Sequence, residues 1–230
     1  MLRDAWLIAS KDLRVEWSSK VLTGQVLPFG VLVLILFGFG ISPDRRVVEA
    51  PERAVLEQVA PGLFWMAVLL SALLALGRSF AIESVDGNLD ALKLTGLDPA
   101  GIFLGKGLAV WLELVALEVV LGAGAFLLYG APLGHPGLLA VTVAATTTSV
   151  AAAGTLYAAL ASGLRVRDTL VPLLVLPVLA PVLLGATLAT EAALFGPAGD
   201  GWPWAGFLGA FALLYLGAGI LSFGPLLEET

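Results

Sequence analysis

The chain has 230 residues, of which 59% are hydrophobic and 13% charged, and its mean hydropathy is +0.97. That is too apolar for a soluble domain of this size, so much of the surface must face lipid. A formal charge of −6 argues against nucleic acid, and the absence of cysteine excludes disulfides, thiolate metal sites and Cys nucleophiles.

In chain order, Leu2, Trp6, Ala9, Leu13 and Trp17 recur at helical spacing, with Arg3, Lys11, Asp12 and Arg14 off that stripe. The pattern predicts an amphipathic helix over 2–18 lying in the membrane interface; the plainer alternative is a polar tail. Six apolar stretches follow at about 21–41, 61–82, 103–129, 138–163, 170–190 and 204–224. Each is long enough to cross a core of about 30 Å, which takes roughly 20 helical residues. The expected fold is therefore all-α and polytopic, a single membrane domain over 1–230. The first stretch does not read as a cleaved signal: its run is too long, Asp4, Asp12 and Glu16 precede it, and no A-x-A site follows.

Basic residues orient the spans. With the N-terminus inside, Arg3, Lys11, Arg14, Lys20, Arg78, Lys93, Lys106, Arg165 and Arg167 face the cytoplasm, and Arg45, Arg46 and Arg53 face out. Both termini are then cytoplasmic. Trp65, Tyr129, Trp202 and Trp204 fall at the outer boundary, where an aromatic belt is expected. The outer loop 42–60 contains EAPERAVLEQVAPG, which reads as a short helix ended by Pro61-Gly62.

A compact charged segment, 83–102, separates the second and third spans. Asp86-Gly87 is a turn pair, Asn88 an N-cap with Asp90 in the first turn, and Gly96 a stop; Asp98-Pro99 caps the next helix. LDALKL then forms a short helix of about 10 Å, with Leu89 and Leu92 on one edge and Asp90 and Lys93 polar. A helix this short needs a surface to pack on. That surface is either the bilayer or the bundle itself, or else a soluble motor subunit, in which case Glu83, Asp86, Gly87, Asn88, Leu89, Asp90, Leu92 and Lys93 form a coupling knob.

The fourth span, VTVAATTTSVAAAGTLYAALASG, is built of small residues that let helix backbones approach closely. The fifth carries Pro172, Pro177 and Pro181, which predict a kinked or broken helix, either structural or lining a path.

Chemistry-bearing groups are sparse. His135 is the single histidine and lies in an outer turn, too few partners for a triad, a zinc site or a haem ligand set. GIFLGKG at 101–107 fails the phosphate-loop pattern by spacing and by Gly107 where Ser/Thr is needed. Glu113 and Glu118 lie inside the third span, pointing about 140° apart, so they serve inter-helix hydrogen bonds or a substrate or proton contact, not one paired site. No catalytic residue, metal ligand or directly bound cofactor is expected.

APGLFWMAVLLSALLALGRSF, the acidic turn VDGNLDALKLTGLDP and Lys106, with KDLRVEW before them and VLPVLAPVLLGAT after, resemble the B subunit of the cytochrome c maturation ABC transporter, the haem exporter protein B family. The resemblance covers residues 6–190 or so. It implies an ABC-2-type permease of six helices in the bacterial inner membrane, present in two copies. It also implies a cytoplasmic ATPase (A subunit) holding ATP and magnesium, a haem-handling membrane C subunit and a small accessory membrane subunit. In the family the complex loads haem onto a periplasmic chaperone, so haem is the implied substrate, carried either by this subunit or released with the chaperone. An ABC-2-type exporter of a lipid, drug or polysaccharide is the alternative, and a scaffold that only transmits ATP-driven motion is another.

Overall fold

The structure is a computed structural model that describes residues 1–41, 51–79, 96–130, 133–161 and 167–229. Its helices are α1 (Leu2–Ser19), α2 (Leu27–Ile41) preceded by a π-helical turn at Leu22–Val26, α3 (Pro51–Ser79), α4 (Pro99–Tyr129), α5 (Pro136–Ala161), α6 (Arg167–Leu194) and α7 (Ala198–Glu229). Six helical stretches are long and apolar enough to span a bilayer, Leu22–Gly40, Val59–Leu76, Pro99–Tyr129, Pro136–Ala161, Leu170–Leu194 and Ala198–Leu226. The chain is an all-α, multi-pass membrane protein.

Lipid tails are as apolar as leucine, so burying leucine against leucine gains little inside a bilayer, and close packing of small side chains holds such helices together. The bundle is built that way. α5 packs against α6 and α7, and its Ala151, Ala152, Ala153, Gly154 and Ala158 are buried. Gly154 receives the end of Leu76 from α3. Gly30 and Gly38 of α2 lie against Leu121 and Tyr129 of α4, and Gly185 of α6 against Phe207 of α7. Large apolar residues such as Leu36, Leu127, Leu173 and Leu213 are left on the outside.

Three expectations change. Pro61 does not end a helix: α3 runs from Pro51 to Ser79 through it. In lipid an interrupted backbone strands several polar groups, which costs more than the single bond a proline removes. Of the kinked and broken forms expected for the fifth span the broken one is excluded: α6 runs from Arg167 to Leu194 through Pro172, Pro177 and Pro181. Two of the belt aromatics turn inward. Trp65 is 1% exposed and donates its indole N–H to Thr190 Oγ1 at 2.9 Å, and the Tyr129 hydroxyl donates to the Leu34 carbonyl at 2.8 Å. Trp202 and Trp204 remain exposed.

Candidate functional site

α4 begins where the charged segment ends. Gly96 takes φ +67°, a left-handed turn suited to glycine, and Asp98 caps α4 by accepting from Ala100 N–H at 3.0 Å, with Pro99 in the first turn. Glu83, Asp86, Gly87, Asn88, Leu89, Asp90, Leu92 and Lys93 lie outside the described residues.

The first turns of α4 carry a clamp for α1. Gly101 and Gly105 present bare backbone to it: a Cβ on Gly105 would stand 2.5 Å from the Ala5 carbonyl and 2.7 Å from Ile8 Cβ. One on Gly101 would meet Asp4 Cβ and the Met1 carbonyl at 3.0 Å. The run that fails as a phosphate loop is thus a helix-packing G-x-x-x-G, a spacing legible in the sequence. The packed face of α1 is Ala5, Ile8 and Ala9; of the Leu2–Trp6–Ala9–Leu13–Trp17 stripe only Ala9 belongs to it, and the two tryptophans are 63% and 86% exposed. Small residues meet protein and large ones turn outward, reversing the logic of a soluble amphipathic helix.

Lys106 follows the glycines. Instead of facing the cytoplasm in the open, it is 1% exposed and its Nζ lies 3.4 Å from Asp12 Oδ2 on α1. Asp12 also meets Lys11 at 2.9 Å through its other oxygen. At the end of α1, Lys20 adopts φ 54°, and the Leu22 N–H is taken by the Glu16 carboxylate.

Glu113 is half-buried on the side of α4 that bears Lys106, two turns on, with Asp12 and Glu16 of α1 as its charged neighbours. Glu118 is 5% exposed and reaches α5, where its Oε2 lies 2.7 Å from Thr147 Oγ1. The same hydroxyl lies 2.7 Å from the Val143 carbonyl. The Thr147 hydroxyl is thus the donor, its one proton shared between the Glu118 carboxyl and the Val143 carbonyl. Glu118 Oε1 has no hydrogen-bond partner among the described residues. The two glutamates are therefore in different places, as their spacing requires.

Pro177 and Pro181 lie on the exposed side of α6, and Pro172 is half-buried. His135 is exposed, and its backbone N–H donates to the Ala193 carbonyl at 2.7 Å. Among the described residues no group of three potential ligands could hold a metal ion. An apolar cleft of about 390 Å³ opens between α1, α4, α5 and α7, lined by Leu2, Phe103, Leu108, Trp111, Ala151 and Leu216 among others.

The family described as "CcmB protein" matches residues 3–224. The chain is 32% identical to the Heme exporter protein B of Haemophilus influenzae over 215 residues, covering 94% of this chain and 91% of that one. It is 35% identical to the same-named protein of Paracoccus denitrificans over 191 residues, 82% of each chain. It is 31% identical to that of Escherichia coli K12 over 197 residues, 86% of each. With nearly its whole length matched and relatives of the same size, this chain belongs to the CcmB protein family.

Proposed function

We propose that this chain is the transmembrane permease subunit of an ABC transporter complex for cytochrome c maturation, with haem as the exported group. The observation that carries the reading is the family match over residues 3–224, together with relatives named Heme exporter protein B aligned over most of both chains. On this reading the chain has no catalytic site of its own. ATP and magnesium are held by a cytoplasmic ATPase partner, two copies of each assemble, and a haem-handling membrane subunit and a small accessory subunit join them. The protein lies in the bacterial inner membrane with both termini cytoplasmic, which the distribution of Lys and Arg supports.

ATP hydrolysis then reaches the membrane through the charged segment between the second and third spans, with Glu83, Asp86, Gly87, Asn88, Leu89, Asp90, Leu92 and Lys93 as the docking knob. What supports this route is the placement of the α1 clamp: Gly101, Gly105 and Lys106 come within the first turns of α4, directly after that segment. A push on the segment moves α4 and α1 together, and the unbroken α6 with its three prolines is the element that yields. The stroke either passes haem across the membrane or releases a haem-loaded periplasmic chaperone.

The test is co-purification. Wild-type protein should bring down an ATPase and a haem-binding membrane protein; if neither comes, the permease reading falls. Burial of Leu89 and Leu92 against the motor removes about 150–200 Å² of apolar surface, roughly 4–5 kcal/mol before ordering costs. Losing about 2–3 kcal/mol of this in Leu92→Asp weakens the ATPase about 30- to 150-fold while the membrane partners stay. An ATPase that remains bound with unchanged turnover would place the coupling contact elsewhere.

A further inference from the structure

α1 contains an internal repeat. Residues 2–6 read LRDAW and residues 13–17 read LRVEW, the same L-R-x-x-W eleven residues apart. Eleven residues make about three turns, so Leu13, Arg14 and Trp17 stand over Leu2, Arg3 and Trp6 in rows about 16 Å long.

The structure also sorts the charges of this helix. Asp12 is taken by Lys106 and Lys11, Glu16 by the Leu22 N–H, and Asp4 by the Met1 amino group at 3.2 Å. The acids are thus committed within the protein. Arg3 and Arg14 are exposed and form no salt bridge among the described residues. Trp6 and Trp17 are 63% and 86% exposed on the neighbouring face. A chain of net charge −6 thus presents one strip where two arginines and two tryptophans alternate outward.

We propose that this strip is a pair of binding sites for anionic phospholipid headgroups, one for each L-R-x-x-W unit. Each arginine offers its planar fork of N–H donors to a lipid phosphate, and each tryptophan seats its ring at headgroup depth. A bilayer is the occupant, not a protein partner, because α1 packs on the first turns of the spanning helix α4, at the edge of the membrane, with Leu2, Trp6 and Trp17 left exposed. Leu2 itself lines the cleft between α4, α5 and α7. The charge complementarity then selects acidic over zwitterionic lipid, by about 5-fold for each arginine at low ionic strength. The site acts whatever the complex transports.

The experiment uses the full-length protein in nanodiscs of mixed phosphatidylcholine and phosphatidylglycerol, with bromine on the acyl chains of one lipid or the other at equal mole fraction. Quenching owed to Trp6 and Trp17 is isolated by subtracting the Trp6→Phe/Trp17→Phe variant, which retains the other four of the six tryptophans. We expect brominated phosphatidylglycerol to quench this component several-fold more than brominated phosphatidylcholine. The excess should vanish in Arg3→Gln/Arg14→Gln and shrink as salt is raised in the wild type. Equal quenching by the two lipids overturns the proposal in favour of an interface helix without headgroup preference. Quenching by neither overturns it in favour of a protein cover over α1.

Discussion

Lys106 of α4 and Asp12 of α1 meet at 3.4 Å with the lysine side chain sealed from solvent, so the helix outside the six spans is tied to the third of them by a buried charge. Lys106 has a further contact besides this one. Breaking a buried pair from one side costs more than removing both charges, because the survivor is left buried. Asp12→Ala leaves the lysine buried with one partner fewer and should destabilise the protein by about 2 kcal/mol, whereas Lys106→Met leaves Asp12 with Lys11 and should cost about 1 kcal/mol or less. Thermal unfolding midpoints in one detergent rank the two variants. The reverse order would mean that the pair is held open to water.

Gly105 is a contact that admits no side chain, with a Cβ position 2.5 Å from the Ala5 carbonyl. Overpacking of this kind costs about 1–3 kcal/mol, and here the helix can escape by leaving. Gly105→Leu should detach α1 while the spans still insert. Because the chain has no cysteine, spin labels on Trp17→Cys and Ala116→Cys report the distance directly. A narrow distribution in the parent should broaden in Gly105→Leu, and an unchanged one would refute the clamp.

The Glu118–Thr147 bond joins α4 to α5 inside the membrane. A glutamine can offer the same hydrogen bond without charge, so Glu118→Gln should unfold near the wild-type midpoint. Thr147→Val should lose stability, and a double-mutant cycle with Glu118→Ala should give a coupling of about 0.6–1.7 kcal/mol, the range for bonds between spans. A coupling near zero would mean that the carboxyl finds its hydrogen-bond partner elsewhere.

α6 buries Val175, Leu179, Val182 and Ala186 while Pro177 and Pro181 lie on its exposed side. The packing does not depend on those two prolines. Pro177→Ala/Pro181→Ala should insert and unfold at the wild-type midpoint or above it, since two backbone donors are restored. Cytochrome c maturation should fall if bending of α6 is used in the cycle. Full maturation by the double variant would remove α6 from the moving parts.

The spans were legible because bilayer thickness imposes a length on any apolar helix, and the cap at Asp98-Pro99 because its chemistry is local. The packed face of α1 was not. Apolar patterning shows which side a membrane helix gives to lipid, and Leu2, Trp6 and Trp17 read in that way before any partner is known. The protein-facing side was written in Ala5, Ala9, Gly101 and Gly105, residues that carry little hydropathy signal. Trp65 misled for the converse reason: a buried indole bonded to Thr190 has the composition of a belt residue and the position of a core one. Proline gave a false stop at Pro61, because the penalty for an exposed backbone in lipid is not visible in a local turn rule.

Gly219 of α7 sits directly against the ring of Phe103, on the same early turns of α4 that hold α1. Where a ring occupies the place of a missing side chain, the glycine cannot grow while the ring stays. Any larger residue at 219 requires a smaller one at 103, so the two sites carry a single joint degree of freedom through mutation. Across related chains the size of one should be read off the size of the other, and the sum of the two volumes, not either residue, is the quantity held constant.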